Sequence, residues 1–500
     1  MLAAPRPDLQ PNSLDYERVP LVKPTGFREY DARWLFGREI NGLGIEALGL
    51  GLGTYLHERG IRPHVVTGHD FRSYSGAVKQ ALTLGLMASG CTVHDIGLAL
   101  SPIAYFAQSA LDVPAVAFVT ASHNENGWTG VKMGCERPLT FGPEEMARLK
   151  EIVLSGAWAV RAGGGLVHVD DMGERYLADL ASGGRLAHRL KLVCACGNGT
   201  AGAFAPRLLE AIGCEVVRLD CDLDHSFPRY NPNPEDTVML AAMGEAVRAA
   251  GADLGVGFDG DGDRCGIVDN EGRPIFADKV GLLLARDLSA RHDNALFLAD
   301  VKSTSLFAAD PVLAANGARA EYWKTGHSYM KRRTAELGAL AAFEKSGHYF
   351  FSPPIGRGYD DGLLAAVLIC RMLDRAAPKT IAELYRELPE TWGSPTLTAV
   401  CADEAKYGAV ERLARDIQRL AAEGGKLAGQ PIRELITLNG IRIVLKDGTW
   451  GVVRASSNKP ELVIVAESPT SEEMLAAMLK AIEFELSKLA GVGPYDKADV

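Results

Sequence analysis

Short apolar runs rich in Val, Ile and Ala alternate along most of the chain with amphipathic segments of helical length, and each run ends in a polar, glycine-bearing loop. Residues 63–67 precede GHDFRSYSG, residues 115–120 precede ASHNENGWTG, residues 191–196 precede GNGTAG and residues 254–258 precede DGDGDR. Further on, residues 295–299 lead into DVKST and residues 339–343 into EKSGH. Strands alternating with helices predict parallel sheets covered on both faces, with ligands gathered at the carboxyl ends of the strands. The pattern has no tight period, which excludes a solenoid, and its spacing indicates three successive α/β units.

The last hundred residues differ. Residues 441–445, 451–454 and 461–466 read as closely spaced strands, the first two joined by the hairpin signal Lys446-Asp447-Gly448. A final helix is expected from Thr470, with Glu473 completing a capping box and Met474, Leu475, Met478, Ile482 and Leu486 on one face. This makes a small α+β domain. At the other end, residues 1–26 hold five prolines and no apolar periodicity, which predicts an extended arm that packs loosely. The expected units are therefore the arm 1–26 and domains at 27–166, 167–271, 272–393 and 394–500.

Composition agrees with several globular domains, since 500 residues at about 150 per domain gives three or four. Apolar residues make up 47% and charged residues 23%, the balance of a globular protein rather than a disordered chain. With 53 basic and 63 acidic side chains the net charge is -10, which disfavours nucleic acid and anionic lipid. An anionic ligand must then be held by local basic groups and backbone amides. The nine cysteines are scattered and odd in number, without the spacings of a zinc site or a disulfide framework, which fits a reduced cytoplasm. Cys194 and Cys196 lie in an apolar run and read as small buried thiols rather than a redox pair. No signal peptide and no membrane span are expected.

Chemistry is concentrated in four loops. In GFDGDGDRCGIVD, Asp259, Asp261 and Asp263 alternate with glycine directly after a strand. Three carboxylates that close need a cation, and oxygen ligands select a hard divalent ion such as magnesium. An EF-hand is excluded, because its required Gly and Glu positions hold Arg264 and Asn270. In VTASHNENGWTGVKMG, Ser122 is followed by His123, Asn124 and Lys132. Taken alone it is either an ordinary loop serine or a nucleophile and phosphate carrier. FEKSGHYFF places Glu344, Ser346 and His348 together, a set suited to a polyol, with His348 able to move a proton near neutral pH. VVRASSNKPE offers Arg454, Ser456, Ser457, Asn458 and Lys459, which form either a phosphate cradle or a solvated hairpin tip.

In that order these loops resemble those of the α-D-phosphohexomutase superfamily, in its bacterial phosphomannomutase/phosphoglucomutase branch. FREYDAR, GNGTAG, WKTGHS with Lys324 and His327, and GYDDG extend the likeness over roughly residues 27–490. The resemblance implies an α/β fold of three similar mixed-sheet α/β domains plus a C-terminal α+β domain around a central cleft. It also implies an enzyme that moves a phosphoryl group between the 1 and 6 positions of mannose and glucose phosphates, through phosphorylated Ser122 and a hexose 1,6-bisphosphate. On that resemblance Asp259, Asp261 and Asp263 hold magnesium, which also touches Ser122, and Arg264 holds the reacting phosphate. Lys132, His348 and Arg33 are candidates for acid–base work or hydroxyl orientation. Glu344, Ser346, Lys324 and His327 bind sugar, and Arg454, Ser456, Ser457, Asn458 and Lys459 bind the phosphate that is not reacting.

Some positions depart from the family pattern. Glu125 replaces a usual Pro and adds a negative charge to the serine loop; His69 stands where Arg is common before Asp70, leaving Arg72 as structural support; and SSNKP makes Lys459 an added phosphate contact. The alternatives are phosphoglucosamine mutase, against which Gly262 and Lys345 stand, and a sugar-phosphate-binding protein without catalysis, against which the intact serine and metal ligands stand. The expected partners are hexose phosphates, with no nucleic acid and no membrane, and the expected assembly is a monomer or homodimer.

Overall fold

The strand Ala115–Val119 is apolar and buried on both faces because helices cover its sheet from both sides. The structure is a computed structural model that describes residues 2–495, so Met1 of the arm and residues 496–500 of the last unit lie outside the described residues. The first sheet runs Ala32–Leu35, Trp128–Gly134, Ala115–Val119, His64–His69, Thr92–Leu98, Gly165–His168. Its last four strands are parallel, and the first two join antiparallel. Strand Gly165–His168 thus closes this sheet across residue 166.

A second sheet orders Pro274–Ile275, Cys265–Asp269, Leu254–Phe258, Lys191–Ala195, Glu215–Leu219, and a third orders Arg319–Trp323, Leu296–Asp300, Ala341–Phe343, Tyr349–Phe351. Each is mixed in the same way. The sheets are mixed, as the family resemblance implies, and in each of the three the chain reverses direction at a chemistry-bearing loop. Residues 120–127, 259–264 and 344–348 are too short for a crossover helix, so the chain returns antiparallel. Each loop is therefore a tight return at a strand's carboxyl end, braced on both sides by buried sheet.

Helices Gly42–Glu58 and Ser75–Ala88 cross at Gly49 and Gly85, where a β-carbon would come within 2.4 Å of Leu82 O and 2.0 Å of Glu46 O respectively. Only glycine permits that approach. A continuous apolar cluster runs from Phe118 and Ile103 through Val256 and Ile267 to Phe343 and Leu363, fusing the first three units. The fourth unit has its own core of Leu397, Ile443, Val453, Ile464 and Met478 beneath an antiparallel sheet.

That last sheet meets the other units through polar groups. Lys279 pairs with Glu467 at 2.8 Å, both buried. Arg442 Nη1 donates to Val301 O at 2.8 Å and Ser303 O at 2.9 Å, and Arg28 pairs with Asp403 at 2.9 Å. Such a seam joins the fourth unit to the others through polar pairs rather than a shared apolar core.

Two local expectations are corrected. The arm is tied down: Leu21 and Val22 are buried, and Asn41 Oδ1 accepts from Leu21 N at 2.9 Å while capping its own helix through Gly44 N at 2.8 Å. The last helix, Glu472–Ser487, is capped by Ser471, whose Oγ accepts from Met474 N at 3.2 Å. Thr470 N donates instead to Ser468 Oγ at 3.1 Å, which keeps that residue in the preceding turn.

Candidate active site

The three returns meet. Ser122 stands near the start of its loop with φ +50°, a left-handed conformation that serine rarely adopts. Its Oγ donates to Asp259 Oδ2 at 2.8 Å and lies 3.1 Å from His123 Nδ1. The backbone around it is anchored from below. Asp70 Oδ2 accepts from Thr120 Oγ1 at 2.9 Å and Ala121 N at 3.1 Å, and Arg72 Nη2 donates to Ser122 O at 2.9 Å and Asn124 O at 2.6 Å. Arg72 Nη1 also reaches Glu125 O at 3.1 Å, while the Glu125 side chain is exposed to solvent. Departures at His69 and Glu125 thus leave the brace intact.

Asp259, Asp261 and Asp263 are fully buried, with their carboxylates within 4.8 Å of one another. Burial, with Asp261 and Asp263 beside it, pushes the Asp259 carboxyl well above the ordinary range. Lys132 inserts its ammonium between the other two, 2.7 Å from Asp261 Oδ2 and bonded to Asp263 Oδ2. Ser101 Oγ donates to Asp261 Oδ2 at 2.6 Å. Even so, Asp261 Oδ1 and Asp263 Oδ1 are buried without a hydrogen-bond donor. His348 Nε2 lies 3.5 Å from Asp263 Oδ1, and three buried carboxylates grouped this closely, all oxygen, fit a hard divalent cation.

Arg264 links this triad to the third loop. Its backbone N donates to Asp259 Oδ1 at 3.3 Å, and its Nε lies 3.3 Å from His348 Nε2. Burial and Arg264 press the His348 pKa down, but Asp263 and Glu344 raise it to about 9. Glu344 is oriented by Gly326 N at 2.7 Å and Ser346 Oγ at 3.1 Å. Against burial, His348 and Lys302 hold its carboxyl down to about 2.

A cavity of about 410 Å3 opens above these groups, lined by Ser122, Lys132, Arg33, Arg264, His327, Glu344, Ser346 and His348 on one side and by Arg454, Ser456, Ser457, Asn458 and Lys459 on the other. Arg33 Nη1 donates to Asn124 Oδ1 at 2.9 Å and its Nε to Asp31 Oδ2 at 2.9 Å. Arg454 is aimed by Asn439 Oδ1 at 3.0 Å and Ser457 Oγ at 3.1 Å. Asn458 Oδ1 is buried without a partner. The three aspartates lie beneath the lining rather than in it, with Ser122 between them and the cavity.

Lys324 does not join the others. Its ammonium sits 5.5 Å from the Tyr329 ring, and it is absent from the cavity lining. Lys345, a position weighed for substrate choice, turns its ammonium onto the Phe276 ring at 3.8 Å, outside the lining. Groups that sequence reasoning passed over are Ser101, Lys302, Tyr30 and Glu29. Lys302 lines the cavity from the DVKST loop, which was noted without singling out a residue. Glu29 Oε2 accepts from Ser457 Oγ at 3.1 Å and Tyr329 Oη at 2.9 Å, tying the FREYDAR loop to the cradle. Ser101 merely opens a helix ahead of Pro102 and carries no sequence signal.

Comparison with known proteins accords with this arrangement. Residues 24–159, 174–272 and 276–392 match phosphoglucomutase/phosphomannomutase alpha/beta/alpha domains I, II and III, and residues 399–483 match the C-terminal domain of the same family. A phosphomannomutase/phosphoglucomutase of Pseudomonas aeruginosa is 34% identical over 457 residues, covering 91% of this chain and 94% of its own. A phosphoglucomutase of Neisseria meningitidis is 31% identical over 458 residues, covering 91% and 96%. A crystal structure of a phosphoglucomutase/phosphomannomutase family protein from Burkholderia thailandensis superposes with a TM-score of 0.84 at 29% identity, over 95% of this chain and 100% of that one. With all four of its domains matched in order and relatives above 30% identity along nearly the whole length, the chain belongs to the phosphoglucomutase/phosphomannomutase family.

Proposed function

We propose that this chain interconverts the 1- and 6-phosphates of hexoses, mannose and glucose among them, by way of phosphorylated Ser122 and a bound hexose 1,6-bisphosphate. The observation that carries the reading is a strained serine hydroxyl 2.8 Å from a buried aspartate triad, facing a basic cradle across one cavity. A hexose bisphosphate needs an anion site at each end, and the two sides of the cavity supply them.

In the first half-reaction the bond from phosphorus to Ser122 Oγ breaks as the bond to the free sugar hydroxyl forms, and that hydroxyl gives up its proton. Magnesium held by Asp259, Asp261 and Asp263 would supply charge neutralisation at the transferring phosphoryl oxygens. Arg264 contributes a second positive charge from the same loop. Among Lys132, Arg33 and His348, the guanidinium stays charged and the ammonium is locked between carboxylates, so His348 is the group that holds or moves the proton. Glu344 and Ser346 accept sugar hydroxyls, while Arg454, Ser456, Ser457, Asn458 and Lys459 grip the distal phosphate. After the bisphosphate turns end over end, the other phosphate returns to Ser122.

The test is intact-mass analysis together with assays on mannose, glucose and glucosamine 1-phosphates. The expected result is a partial increment of one phosphate that vanishes in Ser122→Ala, with turnover of both hexose phosphates and much less of the amino sugar. An increment that persists in Ser122→Ala places the phosphate elsewhere and overturns the proposal.

A further inference from the structure

Strands Lys191–Ala195 and Glu215–Leu219 run side by side in parallel, with Ala195 opposite Leu219, and each ends in cysteine-bearing chain. Cys194 and Cys196 are two residues apart and fully buried; Cys221 comes from beyond the neighbouring strand and is half-buried. The separation between Cys194 Sγ and Cys196 Sγ is 3.9 Å, and that between Cys221 Sγ and Cys196 Sγ is 3.6 Å. All three sulfurs lie within 4.8 Å of one another and none is in a disulfide. Metal–sulfur bonds of about 2.3 Å give sulfur–sulfur edges of about 4.0 Å in a trigonal site and about 3.8 Å in a tetrahedral one. The cluster already has that size.

We propose that Cys194, Cys196 and Cys221 form a three-thiolate site for a soft d10 metal ion, with copper(I) as the ion it suits best. Thiolate donors select soft ions, and copper(I) accepts three ligands, whereas structural zinc takes four. Among the described residues no carboxylate or imidazole joins this cluster as a fourth ligand. Loading replaces three S–H bonds with three metal–sulfur bonds and releases the protons to solvent, with no change of oxidation state. Cys221, the half-buried member, gives the ion its way in. The site is separate from the carboxylate triad, whose hard oxygens prefer magnesium.

The experiment is titration of the reduced, magnesium-loaded protein with copper(I), read by ultraviolet thiolate-to-metal charge transfer and by X-ray absorption. One equivalent should bind with three sulfur neighbours, and affinity should fall at least tenfold in Cys221→Ser and in Cys194→Ala. Cys221→Ala serves as a second substitution at the half-buried position, and circular dichroism checks that each variant is folded. Wild-type affinity in folded Cys221→Ser and Cys221→Ala, a sulfur count of two, or no charge-transfer band overturns the site. So does a protein that takes up no copper(I) but loses two hydrogens on peroxide treatment through a Cys196–Cys221 disulfide, which makes the cluster a thiol redox pair.

Discussion

Ser122 Oγ donates to Asp259 Oδ2 at 2.8 Å from a residue whose φ is +50°. The contact and the strain belong together. Gly260 permits them, since a β-carbon there would come within 2.4 Å of Ser122 O. The serine and metal loops are thus pressed backbone to backbone.

That strain predicts a split between stability and activity. An L side chain at this φ costs about 1 kcal/mol relative to glycine. Ser122→Gly should therefore resist urea better than Ser122→Ala by about 1 kcal/mol, while neither turns over substrate. Equal midpoints in urea would remove the strain from the account.

Ser101 should tune the metal without touching substrate. Its hydroxyl orients Asp261 at 2.6 Å, and partners of that kind typically contribute about 10- to 100-fold in metal affinity. Ser101→Ala is expected to weaken magnesium binding by about tenfold in calorimetry and, by linkage, to lower the thermal midpoint in excess magnesium. An unchanged affinity would show that Lys132 alone sets the geometry.

How much of this was legible in the sequence follows from how local each feature is. The DGDGDR, ASHNENG and EKSGH loops hold their candidate groups in consecutive residues, so Asp259, Ser122 and His348 can be singled out from the sequence, Ser122 as a phosphate carrier only through the family resemblance. The alternation of strands and helices points by itself only to parallel pairing, and the mixed sheets are implied by the family resemblance instead, because the antiparallel returns are set by loop lengths of a few residues. Ser101, Glu29 and the Cys221 neighbour of Cys196 are contacts between distant segments, made by packing that no local pattern encodes. Lys324 shows the converse, a residue inside a family-like motif whose side chain lies against Tyr329.

The seam of the fourth unit should fail in acid. Burial opposes ionisation of Glu467, yet Lys279 holds its carboxyl down to about 2, below its ordinary 4.5. A depressed carboxylate stabilises the fold above the unfolded value and loses that contribution as pH falls through the folded one. The shift corresponds to on the order of 3 kcal/mol, lost between about pH 4.5 and 2. Small-angle scattering should show the fourth unit separating in that window, and Glu467→Gln should shift the onset toward neutral pH. A seam that opens at the same pH in the variant would assign the acid step to other carboxylates.

The last prediction concerns Arg454, which faces Ser122 across the cavity and is pre-aimed by Asn439 at 3.0 Å and Ser457 at 3.1 Å. A guanidinium held on two sides presents its remaining N–H groups as a fork, and each charge-assisted bond to phosphate contributes about 1.5–3 kcal/mol. Because the distal phosphate is common to every hexose phosphate, whichever sugar carbon bears it, the loss on removing the fork should not depend on the sugar. Arg454→Ala is expected to lower kcat/KM for mannose 1-phosphate and glucose 1-phosphate by a similar factor of about 100 or more. Arg454→Lys should recover only part of this, since a point charge cannot make two parallel bonds. Ser457 gives an internal control. It donates to Glu29 Oε2 at 3.1 Å, so Ser457→Ala frees Glu29 as well as loosening Arg454, and its effect should be the smaller of the two. A loss in Arg454→Ala confined to one hexose would mean that the cleft reads the sugar through this arginine, and the phosphate clamp would have to be sought among Ser456, Asn458 and Lys459.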